Sequence, residues 1–123
     1  MNDTGTMQIG ELAERSELSL RTLRHYDEIG LLKPLARSEG GYRLYTEGDL
    51  ARLLLIRRMK PLGYSLEQMA ELLDIADRLA EAPDDGAMRA RLTGLIDDAE
   101  ERRERARVHL AMADEFIHLL KQR

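Results

Sequence analysis

With 123 residues, no cysteine and 34% charged residues, the chain has room for one compact domain and an appended element. It excludes disulfides, thiolate zinc sites, iron–sulfur clusters and thiol redox sensing. The net charge of −4 argues against a nucleic-acid partner only as a total, because the distribution of charge decides what a surface attracts.

Residues 1–64 carry 10 basic and 9 acidic side chains, and residues 65–123 carry 9 and 14. Between 19 and 60 the count is 9 basic to 5 acidic, and all four tyrosines lie in the first half. No run of about 18 apolar residues is present to span a membrane. Residues 1–7 are polar and lack the apolar stretch of a secretion signal, so a cytoplasmic protein is expected. Phe occurs once and Trp not at all, which leaves Leu, Ile, Met and Ala to fill the core.

The first predicted element is a short helix over Met7–Ser16, with Ile9, Leu12 and Ala13 on one face and Gly10 as its N-cap. Residues 16–19 read as a tight turn that ends in a good N-cap, Ser19. Leu18 and Leu23 have the spacing of a hydrophobic staple across that cap. A second helix follows and stops near Gly30, a left-handed C-terminal position. Two short helices joined by a few residues form a helix-turn-helix. In the second helix Leu20 and Leu23 are expected inward. Arg21, Arg24, His25 and Glu28 share the outward strip, flanked by Thr22 and Tyr26. Arg reads guanine bidentately, and Tyr, Thr and Arg bind phosphate. The same strip also fits a merely solvated charged face.

Lys33-Pro34 ends helical structure. Leu35–Ser38 and Tyr42–Tyr45 flank Glu39-Gly40-Gly41 and read as a β-hairpin, with Arg37 and Arg43 on its two arms and Tyr45 packed inward. Thr46 caps a third helix, with Asp49 in the place of a weak capping box. Leu50, Leu53, Leu54 and Ile56 form its apolar stripe, and Arg57, Arg58 and Lys60 its basic end, which also suits the helix dipole. Pro61 and Gly63 break the chain. Ser65–Gln68 is a capping box for a fourth helix with Leu66, Met69, Ala70, Leu72 and Leu73 on its apolar face.

Residues 82–86 read as a linker between a head, 7–81, and a tail helix, 87–121. In the tail Leu92, Ile96, Ala99, Arg103, Ala106, Leu110, Ala113, Ile117 and Leu120 alternate spacings of four and three, a heptad seam with one polar interruption at Arg103. A helix of that length cannot bury its seam alone. It either pairs with a second copy or folds back on its own head.

No nucleophile pattern, phosphate loop or metal-ligand cluster accompanies these elements, so catalysis, cofactor and metal site are not expected. His109 and His118 are nine residues apart and fall on opposite faces of one helix.

Four segments in order, I-G-E-L-A at 9–13, R-T-L-R-H-Y-D-E-I-G-L-L at 21–32, G-Y-R-L-Y at 41–45 and L-G-Y-S-L-E-Q at 62–68, make residues 7–75 resemble the DNA-binding domain of MerR-type regulators. The resemblance implies a mainly α fold, a winged helix-turn-helix head with a small β-hairpin wing and a long dimerisation helix pairing as an antiparallel coiled coil. It places Arg21, Thr22, Arg24, His25 and Tyr26 on a recognition helix in the major groove. Lys33, Arg37, Tyr42 and Arg43 would serve a first wing, and Arg58 and Tyr64 a second. It also implies a homodimer on a pseudo-palindromic operator in double-stranded promoter DNA, which bends and untwists an overlong spacer for RNA polymerase at a deformation cost of several kcal/mol.

The chain departs from the family pattern in places. Glu17 stands where the family has Gly, and a positive φ there would cost about 1 kcal/mol. His25 replaces a frequent Tyr, and Pro61 interrupts a stretch that is usually helical. The cysteines of the metal- and redox-sensing branches are missing, and no separate ligand domain is expected after the tail, so the small-molecule effector stays open. The rival expectation is an interaction or adaptor protein, its acidic coiled coil binding a partner and its head degenerate.

Overall fold

The computed structural model describes residues 5–32, 36–37 and 39–123. The chain begins with strand β1 (Thr6–Gln8), followed by α1 (Ile9–Ser16) and α2 (Leu20–Glu28). Strands β2 (Ala36–Arg37) and β3 (Arg43–Thr46) come next, then α3 (Glu47–Met59), a 3-10 turn (Lys60–Leu62), α4 (Leu66–Glu81) and α5 (Gly86–Lys121). This is the mainly helical winged helix-turn-helix with a long final helix. It divides into two compact units, residues 1–70 and 71–123. The division falls inside α4, and residues 82–85 separate α4 from α5.

Local chemistry explains most helix ends in the first unit. Ser19 caps α2, its Oγ accepting the Thr22 N–H at 3.0 Å. Gly30 closes that helix at φ 80°, a conformation open to Gly without Cβ strain. Its N–H reaches the Asp27 carbonyl, while the N–H groups of Leu31 and Leu32 both reach the Tyr26 carbonyl. The box at α3 is complete: the Asp49 N–H donates to Thr46 Oγ1 at 3.1 Å and the Thr46 N–H donates to Asp49 Oδ2 at 2.8 Å. The box at α4 repeats it, with Gln68 N–H to Ser65 Oγ at 3.1 Å and Ser65 N–H to Gln68 Oε1 at 2.9 Å.

Several expectations are corrected. Met7 and Gln8 belong to β1 rather than to the first helix, and among the described residues the antiparallel sheet has three strands in the order β1-β3-β2. Met7 pairs with Tyr45, and Ala36 with Leu44. Gly10 lies inside α1. The N-cap is Gln8, whose extended backbone forms no side-chain cap, because strand pairing already fixes the approach to the helix. Leu20 is exposed, since the buried face of α2 centres on Leu23 and Tyr26 and Leu20 lies at its edge. Leu66 and Ala70 are also exposed, whereas Ile75, outside the stripe expected for α4, is fully buried.

The core of the first unit gathers Met7, Leu12, Leu23, Leu32, Tyr45, Leu53 and Ile56, all buried. At about 25 cal/mol per Å² of apolar surface removed from water, such a cluster holds α1, α2, α3 and the sheet together. Two ion pairs tie α1 and its turn to α3. Arg15 grips Glu47 with both terminal nitrogens at 2.7 and 2.9 Å. Arg57 pairs with Glu17 and donates to the Ser16 carbonyl at 3.1 Å. The Arg15 hydrogen bond holds the Glu47 carboxyl below its ordinary range.

In the second unit, Asp85 caps α5 by accepting the N–H groups of Ala87 and Met88 at 3.1 and 3.2 Å. Arg91 pairs with Glu71 at 3.0 Å. Over 36 residues at about 1.5 Å each, α5 extends for roughly 54 Å. Along the heptad seam Leu92 and Ala99 are half-buried, while Arg103, Ala106, Leu110, Ala113, Ile117 and Leu120 are exposed. A second apolar stripe, Val108, Met112, Phe116 and Leu119, is also exposed. At 100° per residue it lies on the side of the helix opposite Leu110. Among the described residues no helix is long and apolar enough to cross a membrane.

Candidate nucleic-acid interface

A three-residue turn, residues 17–19, joins α1 to α2 and sets which side of α2 is free. Glu17 adopts φ 59° there, the left-handed conformation anticipated for the position where Gly is usual. With Leu23 buried at the centre of α2, Arg21, Arg24, His25 and Glu28 stay exposed. Thr22 is half-buried and its hydroxyl accepts the Ser19 hydroxyl at 2.9 Å. Tyr26 departs from the expected strip: it is 3% exposed, because its place one turn from Leu23 puts the ring against the core. Burial raises its phenol above the ordinary value. The His25 and Tyr26 rings lie 6.3 Å apart.

The exposed side of α2 faces an open groove of about 950 Å³. Arg21, Thr22, Arg24 and His25 line one wall, with Tyr26 and Glu28 beside them. Lys60, Tyr64, Leu66 and Met69 form the other. The second wall exists because Pro61 turns the end of α3 into the 3-10 turn, which closes at Gly63 with φ 83° and a Gly63 N–H to Lys60 carbonyl bond of 3.1 Å. Pro61 thus ends α3 and starts a second projection. Lys60, read from the sequence as a dipole-matching end, faces the groove. Its position beside a chain break was the signal available.

The other expected residues divide. Arg58 is exposed, and its guanidinium donates to the Leu54 carbonyl at 2.9 Å. Tyr42 is 61% exposed beside the hairpin turn, where Gly41 takes φ 84°. Arg43, on its arm of the hairpin, is half-buried and ion-paired with Asp27 of α2. Lys33 lies outside the described residues, and so does the Arg37 side chain. Among the described residues no group of three or more His, Asp or Glu side chains is placed to hold a metal ion.

Positive side chains on one wall, a lysine and a tyrosine on the other and a tyrosine on an adjoining hairpin suit a ligand that is long, anionic and aromatic. Guanidinium groups bond phosphate oxygens and base edges, and phenols bond phosphate.

Comparison with known proteins gives the same direction. The model of the MerR HTH family regulatory proteins matches residues 7–75, and the MerR DNA-binding model matches residues 50–115. The HTH-type transcriptional regulator ZntR of Escherichia coli K12 is 48% identical over 68 residues, covering 55% of this chain and 48% of its own length. An HTH-type transcriptional regulator of Pseudomonas aeruginosa is 44% identical over 85 residues, covering 68% and 64%. The chain thus spans less than two thirds of the length of either relative. Among solved structures, that of HiNmlR, a MerR family regulator lacking the sensor domain and bound to promoter DNA, superposes with a TM-score of 0.67 at 27% identity, covering 91% of this chain and 78% of the other. The transcription regulator PbrR691 of Ralstonia metallidurans CH34, in complex with lead(II), gives 0.62 at 34% identity, with 94% and 86% covered.

Proposed function

The chain belongs to the MerR family, and from that membership we propose that it is a sequence-specific DNA-binding transcription regulator, acting in the cytoplasm as a homodimer. The observation that carries the reading is the groove whose two walls bring Arg21, Arg24 and His25 of α2 opposite Lys60 and Tyr64. In this reading α2 enters the major groove. Arg24 and His25 address base edges there, while Arg21 and Thr22 support the contact with the backbone and the buried Tyr26 packs behind them. Tyr42 beside the hairpin turn, with Lys33 and Arg37 as the family resemblance implies, and Arg58, Lys60 and Tyr64 around the end of α3, hold phosphates on either side.

Symmetry supplies the rest. The seam from Leu92 through Ile96, Ala99, Arg103, Ala106, Leu110, Ala113 and Ile117 to Leu120 pairs with that of a second copy in an antiparallel coiled coil. Two α2 helices then meet an inverted repeat with half-sites a whole number of DNA turns apart. The dimer bends and untwists the promoter spacer and so presents the promoter to RNA polymerase. The deformation costs about 1–6 kcal/mol, a scale on which small changes in dimer geometry alter transcription. The protein is read as a regulator, with no enzymatic role.

Phosphate contacts make the affinity a function of salt. With about 6–10 phosphates neutralised by the dimer, affinity for duplex DNA is expected to fall roughly 10³-fold or more between 50 and 200 mM salt. Arg24→Ala is expected to weaken specific binding by about 1–3 kcal/mol and leave the dimer intact. Unchanged affinity in Arg24→Ala would remove α2 from the interface, and a flat salt response would remove the phosphates.

A further inference from the structure

Asp27 is an acidic side chain in the last turn of α2, the helix that presents the arginines. The position is unfavourable twice over. An anion at a helix C-terminus opposes the helix dipole, and it repels phosphate. Yet the Asp27 side chain is only 13% exposed, so it faces the protein.

Its partner is Arg43, the first residue of β3, sixteen residues away and on the hairpin. In the β2–β3 ladder Arg43 is registered opposite Arg37, so it ties the paired arms of the hairpin to α2. Tyr45 lies on the same face of β3 as Arg43 and is fully buried. Its hydroxyl lies beside the Asp27–Arg43 pair without a well-formed hydrogen bond to either. Burial first, and the Asp27 charge second, raise that phenol above its ordinary value, so it stays neutral and adds no charge to the pair.

A carboxylate this far withdrawn from water cannot release its cation cheaply. We infer that Asp27 and Arg43 are positioning residues, a latch that fixes the hairpin against α2 so that the exposed Tyr42 and the groove residues meet DNA as one surface, and that Arg43 is committed to this pair instead of to phosphate. The inference rests on the DNA-binding reading and deepens it.

Simple electrostatics and the latch give opposite signs for the same substitution. Removing the Asp27 charge would tighten binding if the residue only repelled phosphate, and weakens it if the residue holds the hairpin. The test uses random-sequence duplex DNA at low salt, the full chain, and a temperature well below the melting midpoint of each variant. Asp27→Asn and Arg43→Gln are each expected to weaken binding about tenfold, and the double variant no further, the non-additivity of residues in one contact. The slope of log affinity against log salt stays that of the wild type, and Asp27→Glu, which keeps the charge, restores binding. Where either single variant fails to fold, the double variant, which leaves no unpaired buried charge, is compared with the wild type and its slope decides. A slope reduced by about one, the signature of a lost phosphate contact, or an Asp27→Asn variant that binds as well as the wild type, overturns the latch. A wild-type chain that fails to bind the duplex at low salt instead sinks the DNA-binding reading and the latch's part in it.

Discussion

Glu17 carries the most direct test at the residue scale. It holds φ 59° at the end of α1, where an L-residue is strained by about 1 kcal/mol. Its carboxylate partner is Arg57, but the Glu17 side chain is 73% exposed, and a pair that open contributes about 0–1 kcal/mol. The Arg57 bond to the Ser16 carbonyl survives loss of the carboxylate. Glu17→Gly is therefore expected to stabilise the chain by about 0.5 kcal/mol, read as a higher denaturant midpoint with an unchanged slope. A lower midpoint would mean that the Arg57 pair outweighs the strain. The left-handed turn was legible from the family pattern. So were the exposure of Arg21, Arg24 and His25 and the burial of Tyr45, because 3.6- and 2-residue periods place side chains on faces. The burial of Tyr26 and the pairing of Arg43 were not legible. Both depend on which element packs beside α2, and the Asp27–Arg43 contact joins residues sixteen apart with no local spacing rule behind it.

Elements were readable wherever their own residues end them. Ser19, Thr46, Ser65, Gly30 and Pro61 each mark a boundary found in the structure. Strand β1 escaped because three residues carry no usable period, and its partner β3 lies some forty residues on. In α5 the seam is legible from its heptads, whereas the opposite stripe of Val108, Met112, Phe116 and Leu119 spans only the last part of the helix and forms no repeat along its whole length. The dimer proposal makes a definite claim on the first stripe. Leu110 and Ile117 are 63% and 48% exposed, and burying such a side chain contributes about 1.5–3 kcal/mol. Leu110→Glu with Ile117→Glu removes that contribution from both copies. Sedimentation equilibrium is expected to show a monomer where the wild type is a dimer. A doubly substituted chain that remains dimeric would place the interface elsewhere on the molecule.

At the scale of the whole molecule, the net charge of −4 is reconciled with an anionic partner by position. The basic excess lies in residues 19–60, where the groove and hairpin are, and the acidic excess lies in residues 65–123, most of it on α4 and α5. The central claim is that two copies, joined through α5, read a symmetric site with α2. Selection of random duplex DNA by the purified full chain, with the stoichiometry of the recovered complex, tests it most directly. The account predicts enrichment of an inverted repeat bound by two chains. Failure to enrich any sequence at low salt, or enrichment of an asymmetric site bound by one chain, would contradict it.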